Sequence, residues 1–184
     1  MKRRSFLKFA AAVLPGAGFP TFAIAQLAAS SSAEEIHMVA AGQDRFGESH
    51  SRGFSSILFK VASRETSGGL FIIEHDNLVK GGPPLHLHLH QEEWFCVLKS
   101  EVLFQVGDGR IKLHAGDSIL GPRSIPHAFS MVGETPGKML IAFIPARKME
   151  QFFRDTAIPN PPNQDAAFFS RYEMKLLGPS PFAS

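Results

Sequence analysis

Gly81-Gly82-Pro83-Pro84-Leu85-His86-Leu87-His88-Leu89-His90-Gln91-Glu92-Glu93-Trp94-Phe95 is the stretch from which the rest of the chain is read. Residues i and i+2 of an extended strand point to one face, so His86 and His88 can aim their imidazoles at one point, and His90 shares their parity. Glu93 has the opposite parity. A turn must intervene before its carboxylate can face the same point, and Gln91-Glu92 is the expected place. Imidazoles with one carboxylate suit a divalent first-row transition metal. An amphipathic strand with a solvated histidine face is the competing reading of the tract taken alone.

Outward from this stretch the chain is a series of short β-rich runs. Residues 36–41, 55–63 and 70–75 precede it; 94–98, 102–106, 111–113, 118–120, 127–132 and 138–144 follow. Gly107-Asp108-Gly109 reads as a hairpin turn, Ala115-Gly116-Asp117 as a second tight turn and 133–137 as a loop. Many short strands bounded by Gly, Pro and Asp predict an all-β barrel or sandwich rather than βαβ units. Cys96, the single cysteine, permits no intrachain disulfide and reads as a small buried hydrophobe turned away from Glu93 by strand alternation. His37, His50 and His75 are isolated and stay outside the candidate site.

The chain ends differently. Lys148 to Asp155 has helical spacing, with Phe152-Phe153 packing on the barrel, and Asp165 to Lys175 is a second expected helix, with Phe168, Tyr172 and Leu176 on one side. Ile158-Pro159-Asn160-Pro161-Pro162 separates them.

At 184 residues, 44% hydrophobic and 20% charged, the chain has the size and composition of one globular domain. Its formal charge of +2 comes from Lys2, Arg3, Arg4 and Lys8; without these the remainder is slightly acidic, which argues against nucleic acid as a partner. Those residues open Arg3-Arg4-Ser5-Phe6-Leu7-Lys8, which resembles a twin-arginine export signature. An apolar segment from Phe9 to Ile24 and a small-residue site, Ala23-Ile24-Ala25, follow it. The expected organisation is a signal peptide over 1–25, a flexible leader over 26–35, a β-barrel over 36–146 and a helical segment and tail over 147–184. The export machinery is the implied partner, and the bacterial periplasm or exterior the implied location.

A second motif, Gly116-Asp117-Ser118-Ile119-Leu120-Gly121-Pro122-Arg123-Ser124-Ile125-Pro126-His127, joins the first. Together they resemble the cupin superfamily. Its first motif runs glycine, a gap, His-x-His, three or four residues, Glu, six residues, Gly. Its second runs Gly, five residues, Pro-x-Gly, two residues, His, three residues, Asn. Gly116, Pro122 and His127 match the second, and His86, His88 and Glu93 match the first; pairing His88 with His90 would leave too few residues before Glu93. The resemblance implies a single-domain jelly roll with His86, His88, Glu93 and His127 as ligands of one divalent metal (Fe, Mn, Ni, Cu, Co or Zn). Ser100 and Ser124 stand where the motifs have Gly, tolerable unless φ must be positive, and Met131 replaces the Asn, removing a polar group from near the site. Members of the superfamily are often dimers.

The wider match, including Trp94 to Leu98 and Gln151 to Arg154, resembles the small cupins grouped with quercetin 2,3-dioxygenases. That resemblance implies dioxygenation of a flavonol-like or other enolic or phenolic small molecule, with dioxygen as co-substrate. Glu93 would be the catalytic base as well as a ligand, made more basic by desolvation. Phe95, Phe104, Phe129, Met131 and Ile141 are expected to give the interior an apolar lining. The alternative is a non-enzymatic periplasmic cupin that stores metal or binds a small ligand. A sugar isomerase would need more polar pocket residues than the motifs supply.

Overall fold

The computed structural model describes residues 38–182; the expected signal peptide and leader lie outside the described residues. Eleven strands form two antiparallel sheets. The first holds β1 (His50–Ser51), β2 (Ser56–Val61), β3 (Phe71–Leu78), β5 (Glu92–Lys99), β8 (Ser118–Gly121) and β10 (Gly137–Ile144), in the order β1-β2-β3-β10-β5-β8. The second holds β4 (Leu85–His88), β6 (Glu101–Val106), β7 (Gly109–His114), β9 (His127–Met131) and β11 (Met174–Gly178), in the order β11-β4-β9-β6-β7. The two sheets form an all-β jelly roll.

Alternation explains how the sheets face one another. In β5, Glu93, Phe95 and Val97 are buried while Trp94 and Cys96 are half-buried on the other face, so each second residue reaches the space between the sheets. Phe59, Phe71, Ile73, Phe104 and Phe143 fill that space from β2, β3, β6 and β10. Cys96 is thus turned away from Glu93 as expected, but it is half-buried rather than enclosed.

Three elements differ from expectation. Met38 to Ala41 is not a strand; Met38 is 80% exposed, and the Gln43 N–H donates to the Ala40 carbonyl oxygen in a turn. The break after β4 falls at Leu89-His90 rather than Gln91-Glu92. Gln91 is buried, and its amide donates to the carbonyls of Pro145 (2.7 Å) and Ala146 (3.0 Å), pinning the start of β5 to the end of β10. The last difference is at the C-terminus. Helix α1 (Met149–Thr156) forms as its spacing predicts, but α2 (Ala166–Arg171) stops short of Lys175. The Asp165 carboxylate caps α2 by accepting from the Phe168 N–H at 2.8 Å. The chain then returns as β11 beside β4, pairing Met174 with His88 and Leu176 with His86.

Candidate metal centre

His86 and His88 rise from β4, His127 from the adjacent β9 directly opposite His86, and Glu93 from β5 in the other sheet. The four side chains meet between the sheets. One donor atom from each lies within 4.8 Å of all the others, and the residues are only 1–7% exposed. A four-residue separation in sequence thus becomes a facing pair because the chain changes sheets between His88 and Glu93.

The hydrogen bonds fix which ring nitrogens face the centre. Nδ1 of His86 lies 2.8 Å from the Pro84 carbonyl oxygen, and Nδ1 of His127 lies 3.0 Å from that of Ile125. A carbonyl oxygen only accepts, so each Nδ1 carries a proton, and Nε2 of the neutral ring is a lone pair. Nε2 of His127 nevertheless sits 2.9 Å from Oε2 of Glu93. Nε2 of His88 lies 3.0 Å from the same oxygen, off the line of a hydrogen bond and without another partner. The His127 lone pair directed at an anionic oxygen is repelled unless a proton or a cation lies between them. Three imidazoles and a carboxylate are the donor set that a divalent transition metal takes, so the residues fit the implied ion.

Burial and the neighbouring rings of His127 and His88 lower the His86 pKa to about 3, keeping it neutral. Burial acts on Glu93 in the opposite sense to the net result. It would raise the carboxyl, but the His127 and His88 rings beside it pull it below the ordinary carboxylate range. Desolvation therefore does not make Glu93 more basic, contrary to expectation; the residue is a persistent anion.

His86, His88 and Glu93 line a cavity of about 40 Å³. Its apolar wall comes from Phe54, Phe129, Ile141, Phe152, Phe153 and Phe169, so both C-terminal helices close the site as well as packing on the barrel. Of the residues expected to line the interior, Phe129 and Ile141 reach this cavity. Phe95, Phe104 and Met131 are buried elsewhere in the core, so the Met that replaces the motif's Asn takes no polar group from the cavity wall. His90 and His114 are exposed.

Two polar wall residues were missed. His75, set aside as isolated, is buried with Nδ1 2.6 Å from Ser55 Oγ, stacked on Phe54, and lowered to about 3 by burial, then by Arg52. Arg52 was not considered at all. No local spacing identifies either residue, since β3 and the β1–β2 turn reach the cavity only through the sheet order. The role of β11 did have a signal: Met174 and Leu176 alternate with Lys175 and Leu177 as a strand requires.

A family model described as a cupin domain matches residues 78–143, a span that contains all four candidate ligands. Among solved structures, the chain is similar to an RmlC-like cupin from Shewanella frigidimarina NCIMB 400. The match has 20% identity and a TM-score of 0.52, and covers 63% of this chain and 96% of that one. A predicted oxalate decarboxylase from Thermotoga maritima is similar at 17% identity and a TM-score of 0.49, over 53% of this chain and 90% of that one. At these identities the likeness is one of fold. No curated protein matches the chain.

Proposed function

We propose that the chain, whose residues 78–143 match a cupin domain, is an exported metal-dependent dioxygenase of a small enolic or phenolic molecule, with His86, His88, Glu93 and His127 holding one divalent ion. The observation that carries the metal assignment is the convergence of the His88 and His127 Nε2 atoms on one oxygen of Glu93. When bound, such an ion supplies Lewis acidity toward a substrate oxygen and a position for dioxygen. The carbonyls of Pro84 and Ile125 orient two of the imidazoles. Glu93 is an anion of lowered basicity, so in this reading its carboxylate oxygen takes a proton only from an acidic hydroxyl such as that of an enol or phenol. The phenylalanine side chains make the wall of the cavity largely apolar.

Cavity size bears on the substrate. About 40 Å³ holds a few water-sized groups, so a flavonol requires the Phe152-Phe153 wall to move, and a smaller enol does not. The same small cavity favours the second reading, a non-enzymatic cupin that binds a small ligand.

Metal analysis of protein purified from the periplasm, followed by oxygen uptake with enols and phenols of increasing size, separates the readings. The expected result is one ion per chain and uptake with the smaller substrates. Metal without uptake favours the binding cupin, and no metal overturns the dioxygenase. Sequencing the exported chain tests the export signal: a start at Gln26 is expected, and a start at Met1 contradicts cleavage.

A further inference from the structure

Arg52 is a cation built into the wall of the cavity without an anion to match it. Its side chain is largely enclosed, and its guanidinium lies over the rings of Phe152 (5.2 Å) and Phe153 (5.9 Å). It donates to two neutral acceptors, Thr156 Oγ1 and Gln164 Oε1. Among the described residues no carboxylate pairs with it. A guanidinium has five N–H donors, so most of this fork is uncommitted. Arg123 pairs with Glu92, Arg147 with Glu173, and Arg154 with Glu48 and Glu150, whereas Arg64, Arg110 and Arg171, which like Arg52 pair with no carboxylate among the described residues, are exposed.

Its position is as informative as its lack of a partner. Arg52 lines the inner cavity together with His75, His86, His88 and Glu93. It also lines a separate outer cleft of about 450 Å³, formed by Ser51, Gly53, Thr156, Pro159 and Gln164 among others. Arg52 is common to both walls. Burying a cation costs free energy unless an anion offsets it, so a residue in this position is accounted for by an anion that arrives with the ligand.

We propose that the site takes a small carboxylic acid, its carboxylate held in the fork of Arg52 and its hydroxyl, enol or keto oxygen directed to the His86, His88, Glu93 and His127 centre. The inference rests on the metal reading for its second half only. A planar guanidinium matches a carboxylate bidentately, which a neutral amide of the same shape cannot reproduce. Thr156 and Gln164 hold the fork in place, and the Phe152 and Phe153 rings fix its plane.

The test compares lactate with its neutral isostere lactamide by calorimetric titration of the full chain, metal-free and loaded with Mn(II), with bound metal measured separately. Lactate is expected to bind at least tenfold more tightly than lactamide in both forms. Arg52→Gln is expected to abolish that preference while keeping its metal content, and Arg52→Lys to retain part of it. Equal affinities in the wild-type chain, or binding of neither, overturn the proposal. That comparison needs no variant, so a misfolded Arg52→Gln chain leaves it decisive. Full metal content with no lactate preference sinks the Arg52 inference alone, whereas lactate preference in a chain that takes up no metal sinks the metal reading alone.

Discussion

Ser100 and Ser124 occupy left-handed backbone, with φ of 70° and 63°, at the two positions where the motifs have glycine. A Cβ is strained there by about 1–3 kcal/mol, against a smaller entropic cost of introducing glycine. Ser100→Gly and Ser124→Gly should therefore each stabilise the chain by up to about 1 kcal/mol in urea unfolding, and a loss would show that Ser side-chain contacts outweigh the strain. The histidines set the acid response. His75 and His86 stay neutral when folded down to about pH 3, whereas the unfolded chain takes up their protons near pH 6.5. Stability is complete above that point and is lost as pH falls from 6.5 toward 3. His75→Gln should flatten the slope of the metal-free chain in this window by about one proton, roughly 1.4 kcal/mol per pH unit. An unchanged slope would mean that His75 is protonated in the fold. The ligand histidines were legible because their spacing in one strand is a local property. His75 and Arg52 were not, because their relation to the site exists only once β3 and the β1–β2 turn are placed.

At the scale of elements, β4 depends on its two neighbours, β9 and β11. Gly82, just ahead of β4, passes so close to β9 that an added Cβ would lie 1.8 Å from the Phe129 carbonyl oxygen. Gly82→Ala should cost several kcal/mol and weaken metal binding, because the entry to β4 must shift. On the other side, Lys175→Pro removes an N–H from β11 opposite Leu87. A loss of about 3 kcal/mol and weaker metal affinity are expected in paired unfolding and metal titrations. Metal affinity unchanged by Lys175→Pro would show that β4 holds its histidines without β11. The central strands were readable from their turns and alternation. The end of the chain was read as helix, since apolar residues over 165–175 satisfy helical spacing as far as Tyr172, and the alternation that marks β11 spans too few residues to override it.

For the whole molecule, the candidate centre is where the sheets are joined: three donors from one sheet and one from the other. An ion there would link the sheets and stabilise the folded state by mass action, about 2.7 kcal/mol at a free concentration a hundredfold above Kd. The two motifs announced the jelly roll, while substrate size and charge depend on the cavity that the C-terminal helices and Arg52 complete. The most direct measurement is bound metal per chain, by mass spectrometry and by thermal unfolding, after metal-free wild-type, His88→Ala and His127→Ala chains are titrated with Mn(II) or Zn(II). One ion per wild-type chain, a higher Tm on loading, and loss of both in the variants are predicted. No bound ion in the wild-type chain, or the same stoichiometry and Tm gain in the variants, would contradict a metal held by these four residues.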